Sequence, residues 1–384
     1  MHILLVADGR SPITRSWVQA LLALQHQITL VSTFPCPEIA GIENVHIFPV
    51  AFGGLSGSQA GRGGAGGGQA GGLRQVVGRF RSLLMAGRYV LGPLTLLRYG
   101  PQFRRLVQMI KPDLVHALRI PFEGMLAAYT PPEVPLIVSI WGNDLTLHAQ
   151  GSRWMRQLSI RTLQRANALV ADAQRDIRLG RQWGFAADRP TLVVPGSGGI
   201  DLAVMRARRL EHADHLADLL PAGVPLVLER KPQVFFACAA MAGQREALNW
   251  VDRLKVGSRV RLLPYLPQAD IWDLFLRAEV SVSLSAHDGT PNSLLEAMAC
   301  GCFPIAGDIE SLREWIIPGV NGLLVEPDKA QGLADALLFA LDNAELRASA
   351  AEYNLRLIAE RAEVNLVRAQ IQVFYQRIAG QAAG

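Results

Sequence analysis

Short apolar runs alternate with amphipathic stretches along most of the chain. Apolar runs lie at positions 2–7, 27–32, 135–140, 167–172 and 280–284. A continuous run of this length is typical of a buried parallel strand, and the stretches between the runs have helical spacing. The pattern therefore predicts an α/β fold with parallel sheets. It opens on a strand, a helix and a second strand, as nucleotide-binding folds do.

The length of 384 residues predicts two domains rather than one. The glycine-rich segment 196–199 follows a predicted strand and is typical of a hinge. We place the domain boundary there. The prediction is a first domain at 1–198, a second at 199–363, and a C-terminal helical segment at 364–384.

Residues 53–72 contain eleven glycines in twenty positions. No strand leads directly into this segment and no helical lysine follows it, which argues against a phosphate-binding loop. We therefore predict a flexible surface loop.

The chain has a net charge of +5, and its basic residues are nearly all arginine. Arginine favours forked contacts to phosphate, although the same composition can follow from the base composition of a genome. Because the charge is modest and no nucleic-acid motif accompanies it, we expect no nucleic-acid partner. The four cysteines have neither a disulfide pattern nor the spacing of a metal site, which fits a reducing cytoplasm.

Membrane attachment is a separate question. No apolar run reaches the roughly 20 residues that span a bilayer, and the chain opens on a strand rather than a signal peptide. We therefore expect a cytoplasmic protein. Residues 73–109 are basic and apolar, and Pro93 and Pro101 predict that they form several short helices. Such helices could lie on the anionic inner face of the cell membrane or could be ordinary domain helices, and both alternatives stay open.

The stretch 285–301 carries the most chemical information. It follows the predicted strand 280–284 and contains a tight turn, and it predicts a helix that begins at Asn292 or Ser293 and stops at Gly301. A loop of this kind lies at the carboxyl end of a parallel sheet, where ligands bind.

The polar groups of this loop fit a phosphate bound next to neutral hydroxyls. A helix N terminus offers free N–H groups and partial positive charge, and Gly289 permits close approach of a ligand. Thr290, Asn292 and Ser293 add hydroxyl and amide groups. A carboxylate at Glu296 would repel a phosphate but could hold ribose hydroxyls. The alternative is a capping box between Ser293 and Glu296, with no ligand.

The same segment resembles the nucleotide-sugar loop of the retaining GT-B glycosyltransferases of family 4, whose pattern is E-G-x-P-x-x-x-x-E-A-M-A-x-G-x-P. The chain has Asp288-Gly289-Thr290-Pro291, then Glu296-Ala297-Met298-Ala299, then Gly301 and Pro304. Asp288 stands where the family has glutamate. The segments 112–117, 141–144, 196–201, 266–278 and 318–325 resemble further motifs of the family.

The resemblance implies a fold and a reaction. The fold would have two Rossmann-like domains facing each other across a cleft, with the last helix crossing back to the first domain. The reaction would move a sugar from a nucleotide-diphosphate sugar to a glycan or lipid-linked acceptor with retention. It would need no metal ion or other cofactor, and the absence of a D-x-D at a predicted strand end agrees with that.

The resemblance also assigns the donor site to the second domain. Asp288 would lie near the donor sugar and Glu296 would hold the ribose, so we take both as candidate catalytic residues. The candidate donor-binding residues are Gly289, Thr290, Pro291, Asn292, Ser293 and Glu296.

An acceptor would lie on the first domain, where the candidate residues are Gly9, Arg10, His116, Trp141, Asn143 and Asp144. Trp141 stands where the family usually has histidine, and it could stack on a sugar or simply pack. His116 is equally well explained as a strand-end histidine with satisfied hydrogen bonds.

The resemblance is weakest at 202–232. In the family, the first strand of the second domain leads to a Gly-Arg and then a lysine, which together hold the donor diphosphate. Cations in or near this segment occupy none of those positions: Arg206, Arg208, Arg209, Arg230 and Lys231. Two alternatives to a transferase therefore stay open. One is a non-catalytic relative that binds a nucleotide or a partner, and the other is a nucleotide-sugar epimerase.

Overall fold

The computed structural model describes residues 1–53, 81–209, 217–218 and 224–381. The chain divides into two units, of which the first comprises Met1–Gly198 with Arg368–Gly384 and the second comprises Gly199–Val367. Nearly all of the predicted glycine-rich loop, at 54–72, lies outside the described residues.

The first unit is built on a parallel sheet whose strands are joined by helices. Its strands and longer helices are β1 (His2–Ala7), α1 (Pro12–Ala23), β2 (Gln27–Ser32), β3 (Asn44–Ile47), α2 (Arg81–Ile110), β4 (Leu114–Ala117), β5 (Leu136–Ile140), α3 (Arg153–Arg165), β6 (Ala168–Ala171), α4 (Gln174–Gln182) and β7 (Thr191–Val193). Within the described residues the strand order is β3-β2-β1-β4-β5-β6-β7. Strands β4, β5 and β6 are buried along their whole length, which explains their continuous apolar sequences.

The second unit repeats this plan. Its elements are α5 (Leu202–Arg209), β8 (Ala217–Asp218), α6 (Val224–Arg230), β9 (Phe236–Cys238), α7 (Arg245–Leu254), β10 (Val260–Leu262), α8 (Gln268–Arg277), β11 (Val280–Ser283), α9 (Asn292–Cys300), β12 (Phe303–Gly307), β13 (Leu323–Val325), α10 (Ala330–Asp342) and α11 (Ala344–Arg361). Within the described residues its parallel strands run in the order β10-β9-β8-β11-β12-β13. The two sheets confirm the predicted α/β class.

Helix α2 contradicts the predicted break into short helices. It is continuous over 30 residues with Pro93 and Pro101 inside it. Glycine stands before each proline, so the usual clash with a preceding Cβ is absent. Pro93 has no N–H for the carbonyl of Tyr89, and the hydroxyl of Ser152 donates to that carbonyl instead at 2.8 Å. A neighbouring element therefore satisfies the group that proline leaves unpaired.

The C-terminal helix α12 (Val364–Gln381) belongs to the first unit from Arg368 onward. Its Tyr375 is fully buried there. The indole of Trp17 donates to the Tyr375 hydroxyl at 3.2 Å, and the same hydroxyl is hydrogen-bonded to His116 Nδ1. These contacts fix the end of the chain against β4 and α1.

The solvent side of α2 exposes several large apolar side chains. Val90, Leu91, Leu94 and Leu97 are between 43% and 69% exposed. In the ranges that the structure describes, none of the helices combines the length and the apolar content required to cross a bilayer.

Candidate functional site

The loop between β11 and α9 lies at the carboxyl end of the second sheet. Helix α9 runs from Asn292 to Cys300, and Gly301 follows it with a φ of 94°. This left-handed conformation favours glycine, which explains why the helix ends there. The predicted bounds of this helix are therefore confirmed.

The N terminus of α9 is open. Pro291 occupies the N-cap position, and no side chain among the described residues caps the helix. The capping box between Ser293 and Glu296 is therefore not formed. The first N–H groups of an α-helix have no acceptor within the helix, so those of Asn292 and Ser293 are available to a ligand.

Asp288 shapes the loop that leads to this N terminus. Its Oδ1 accepts a hydrogen bond from the Gly289 N–H at 2.9 Å, and its carbonyl accepts one from the Ser311 hydroxyl at 2.8 Å. Gly307 lies so close that a Cβ added there would be 2.5 Å from the carbonyl oxygen of Ser285. Thr290 is buried, and its hydroxyl accepts a hydrogen bond from the Trp315 indole at 2.9 Å. The loop is thus braced from β12 and from the segment that follows it.

Glu296 is 7% exposed, one turn into α9. Its Oε1 accepts a hydrogen bond from Gln268 Nε2 at 2.6 Å. Burial raises the pKa of the Glu296 carboxyl, and the hydrogen bond from Gln268 opposes that rise. Further donors would stabilise the ionised form, and a pair of sugar hydroxyls is a suitable source.

A hollow of about 330 Å³ lies at this same edge, beyond the ends of β9, β11 and β13. Its walls are mainly apolar and include Met241, Gln244, Trp250, Leu284, Pro327 and Leu333.

By resemblance, the diphosphate cations would follow the first strand of the second unit, which is β8. The central strand β8 has two described residues, and the segment 219–223 after it contains neither arginine nor lysine. Two of the candidate cations are engaged elsewhere, because Arg208 pairs with Asp273 at 2.7 Å and Lys231 with Asp342 at 2.5 Å. The departure from the family pattern stays a prediction, because residues 210–216 and 219–223 lie outside the described part of the chain.

His116 lies on β4 in the first unit and is completely buried. Its Nε2 is hydrogen-bonded to the Ser139 hydroxyl at 2.9 Å, and its Nδ1 to the hydroxyl of Tyr375. Burial lowers the pKa of His116 to about 3, so the ring is neutral. With both nitrogens engaged, this arrangement favours the structural alternative over a substrate contact.

Asp144 organises the turn that follows β5. Its side chain is fully buried and pairs with Arg119 Nη2 at 2.8 Å. It also accepts backbone hydrogen bonds from Ile120 at 3.0 Å and Trp141 at 3.3 Å. Trp141 and Asn143 lie on the same turn and are half-buried. The turn therefore brings three predicted acceptor-side residues together, with the carboxylate of Asp144 already engaged by protein groups.

Gly9 and Arg10 occupy the turn after β1. The Gly9 N–H donates to the Ser32 hydroxyl at 3.0 Å. The Arg10 guanidinium forks onto Asp8, with contacts of 3.0 and 2.9 Å, and its Cζ lies 3.6 Å from the centre of the Phe34 ring.

Charged and aromatic residues that the sequence analysis missed surround this turn. They are Phe34, Arg88, Arg119 and Glu123, which come from three separate parts of the chain. No motif links them. Arg119 alone had a usable signal, because it stands two residues beyond the end of β4 at the edge where ligands bind.

Across the ranges that the structure describes, no group of three or more His, Cys, Asp or Glu side chains could hold a metal ion.

Two family models match the chain. The glycosyl transferase 4-like domain matches residues 8–196, and glycosyl transferases group 1 matches residues 204–356. Together they span most of both units.

Curated relatives match over parts of their length. Phosphatidyl-myo-inositol mannosyltransferase of Mycolicibacterium smegmatis is 36% identical over 88 residues, which is 23% of this chain and 22% of the relative. Glycogen synthase of Mycobacterium tuberculosis is 27% identical over 200 residues, covering 51% of this chain and 46% of the relative. The matches therefore span less than half the length of these curated relatives.

Solved structures match over nearly the whole chain. Sucrose-phosphate synthase from Thermosynechococcus elongatus superposes with a TM-score of 0.72 at 15% identity, covering 99% of this chain and 100% of that one. HepE of Anabaena, solved in complex with UDP, superposes with a TM-score of 0.66 at 18% identity, covering 98% and 100%. At these identities the likeness shows the fold alone. From the family matches and this likeness, the chain belongs to the group 1 glycosyltransferases of family 4 and has their GT-B fold with two Rossmann-like domains.

Proposed function

We propose that this chain transfers a sugar from a nucleotide-diphosphate sugar to a glycan or lipid-linked acceptor, with retention at the anomeric carbon and without a metal ion. The observation that carries the proposal is the 288–296 segment. There an uncapped helix N terminus stands one turn before a buried carboxylate, Glu296, in a chain of this family.

The two features suit the two halves of a nucleotide diphosphate. The N–H groups and partial positive charge at the start of α9 favour the diphosphate and would stabilise the charge that develops as it leaves. Glu296 would accept hydrogen bonds from the ribose hydroxyls, one turn away from the phosphates. Asp288 would orient the donor sugar or stabilise positive charge at its anomeric carbon.

The segment after β8 shapes the expected strength of donor binding. A diphosphate usually receives charge-assisted hydrogen bonds from cationic side chains. Because residues 219–223 supply none, the helix N terminus would bear a larger share of the charge. We therefore expect weaker donor binding in this chain than in a relative with the Gly-Arg and lysine motif.

Turnover is the direct test of the proposal. Purified protein would be incubated with UDP-, GDP- and ADP-sugars and with candidate acceptors, and transfer and slow donor hydrolysis would be followed by release of the nucleotide. NMR of the product would report the anomeric configuration, and an unchanged rate in EDTA would support metal independence. Inversion or loss of activity in EDTA would overturn the corresponding part of the proposal.

A non-catalytic relative is the second candidate, favoured by the missing cations after β8 and by the buried, fully bonded His116. It would bind a nucleotide with neither transfer nor hydrolysis. A nucleotide-sugar epimerase is distinguished by its product, which would remain attached to the nucleotide.

We also propose that the first unit attaches peripherally to an anionic membrane through α2. The exposed apolar residues Val90, Leu91, Leu94 and Leu97 support this, since they cluster on one helix of a basic chain. Co-sedimentation with phosphatidylglycerol vesicles should fall in Leu97→Glu and persist in Phe339→Glu, which changes an exposed apolar residue of the second unit. Equal binding by wild type and Leu97→Glu would contradict the attachment.

A further inference from the structure

Three arginines from three elements converge at the carboxyl edge of the first sheet. Arg10 lies on the turn after β1, Arg88 on α2 and Arg119 just beyond β4; we call them the arginine cluster. The guanidinium carbons of Arg10 and Arg88 lie 3.6 and 5.4 Å from the centre of the same Phe34 ring. Burial lowers the pKa of Arg88, the charge of Glu123 opposes this, and the positive charges of Arg119 and Arg10 lower the pKa further.

The carboxylates of the region leave one of these cations unmatched. Arg10 is paired with Asp8, and Arg119 with Asp144. Among the described residues Arg88 makes no ion pair or hydrogen bond, and its Nε is buried without a partner. Its protein contacts are the faces of Phe34 and Phe122, with Cζ 5.2 Å from the centre of the Phe122 ring. The Nε of Arg119 is also buried without a partner.

The carboxylate that acts on Arg88 is Glu123, whose charge opposes the lowering of the Arg88 pKa although the two side chains form no ion pair. Glu123 is 3% exposed and accepts a hydrogen bond from the Thr33 hydroxyl at 2.8 Å. Burial raises the pKa of the Glu123 carboxyl, although the charge of Arg119 opposes the rise. His148 is hydrogen-bonded to the Tyr89 hydroxyl, and burial lowers its pKa. A half-buried guanidinium with two cationic neighbours and no ion pair of its own is costly to maintain unless a ligand anion pairs with it.

We propose that the arginine cluster binds a phosphate group of the acceptor. The inference rests on the proposed function, in which the first unit takes the acceptor. A phosphate offers several strong acceptor oxygens in different directions, and it therefore suits guanidinium groups arriving from three elements. The group could belong to a phosphorylated polyol in solution or to a lipid headgroup, since the chemistry is the same.

Direct binding tests this site without relying on turnover. Glycerol 3-phosphate should raise the thermal midpoint of the full chain, whereas glycerol should not. Arg88→Gln and Arg10→Gln should each bind glycerol 3-phosphate about tenfold more weakly or worse, because each loses a charge-assisted hydrogen bond. Arg105→Gln is the matched control, since Arg105 is exposed on the same helix. Arg88→Lys is a second variant, which keeps the positive charge and serves if Arg88→Gln fails to fold.

A second arm identifies the source of the phosphate. Vesicles of phosphatidylcholine with and without phosphatidic acid would be tested against the same variants. A response to phosphatidic acid alone assigns a lipid headgroup, and a response to glycerol 3-phosphate alone assigns a soluble acceptor. If wild type responds to neither probe, or if Arg88→Gln and Arg10→Gln respond as wild type does, the phosphate site is wrong.

The proposed transfer of a sugar can be wrong while the phosphate site is right, and the same measurements distinguish the two. Nucleoside diphosphates should shift the midpoint of Arg88→Gln as they shift that of wild type, because the donor segment belongs to the other unit. If glycerol 3-phosphate raises the thermal midpoint and no nucleotide does, the phosphate site is supported and the proposed donor site is wrong.

Discussion

The carboxyl edges of the two sheets are built in different ways. At the second sheet, one continuous segment supplies the turn at Asp288, the open N terminus of α9 and the carboxylate of Glu296. At the first sheet, the side chains come from the turns after β1, β4 and β5 and from α2. A site in one segment leaves a recognisable sequence motif, whereas a site assembled from separate elements does not.

The two edges also differ in charge. The first is crowded with arginines and buried carboxylates, held in pairs such as Arg119 with Asp144. The second has a buried carboxylate, and residues 219–223 contain neither arginine nor lysine. In the proposed reaction, the second edge therefore depends on backbone N–H groups for phosphate, and the first edge on side chains.

The largest effect is expected at Glu296. We expect Glu296→Gln to lower donor turnover by about 100-fold or more, since two hydrogen bonds to a charged group contribute about 1.5–3 kcal/mol each. Steady-state nucleotide release measures it. Glu345→Gln, which changes an exposed carboxylate of the same unit, should turn over as wild type does. Wild-type turnover in Glu296→Gln would show that the continuous segment is not the donor site.

Acid should weaken the first unit through His116. The pKa of this buried ring is about 3, against 6.5 for the exposed group. The unfolded chain therefore takes up the proton first, and the free energy of unfolding falls as pH drops from about 6.5 towards 3. The loss is about 1.4 kcal/mol per pH unit.

Urea unfolding at several pH values checks this. His116→Gln should lose that slope between pH 6 and 5, while His287→Gln, in the second unit, should keep it. Burial raises the pKa of Glu123, which contributes a pH dependence of opposite sign. This contribution is the same in wild type and His116→Gln, so it cancels when their slopes are compared. Equal slopes in wild type and His116→Gln would contradict the buried neutral ring.

Substituting one glycine at each sheet edge compares how rigid the two edges are. A Cβ at Gly307 would lie 2.5 Å from the backbone oxygen of Ser285, whereas one at Gly9 would lie 2.5 Å from the side-chain sulfur of Cys36. A side chain can rotate away and a braced backbone cannot. We therefore expect Gly307→Ala to cost about 2–3 kcal/mol and Gly9→Ala about 1 kcal/mol. Chemical denaturation measures both, and the reverse order would contradict the bracing of the 288–296 segment.

The smallest effect concerns the support of α2. Ser152 caps α3, where its Oγ accepts from the Met155 N–H at 3.1 Å, and it also donates to the carbonyl of Tyr89. We expect Ser152→Ala to lower the free energy of unfolding by about 1 kcal/mol. Ser349→Ala, an exposed serine within α11, should change it by much less. No difference between the two variants would mean that α2 does not depend on this bond.

Local signals explain what could be predicted at the second edge. The strand before the loop, the start of α9 at Asn292 and its stop at Gly301 follow from apolar runs and glycine chemistry, which act within a few residues. The capping box failed as an explanation because Pro291 takes the cap position and Glu296 turns to Gln268, a partner on another helix.

Long-range contacts explain what could not be predicted at the first edge. His116 is satisfied by Tyr375, which lies 259 positions further along the chain. Helix α2 continues through Pro93 because Ser152, from a different helix, satisfies the freed carbonyl. The predicted strand ends located Arg10 and Asp144 at the carboxyl edge of the sheet. The side chains that contact these two residues could not be predicted, because they come from other parts of the fold.

Nucleotide binding tests the central claim most directly. Thermal midpoints would be measured with UDP, GDP, ADP and CMP for wild type and Glu296→Gln. The proposed donor site predicts that one nucleoside diphosphate raises the midpoint of wild type through binding to the folded state and that Glu296→Gln loses most of this shift. A chain that melts cooperatively and responds to none of them, or a shift that is unchanged in Glu296→Gln, would contradict a nucleotide-sugar site at the 288–296 segment.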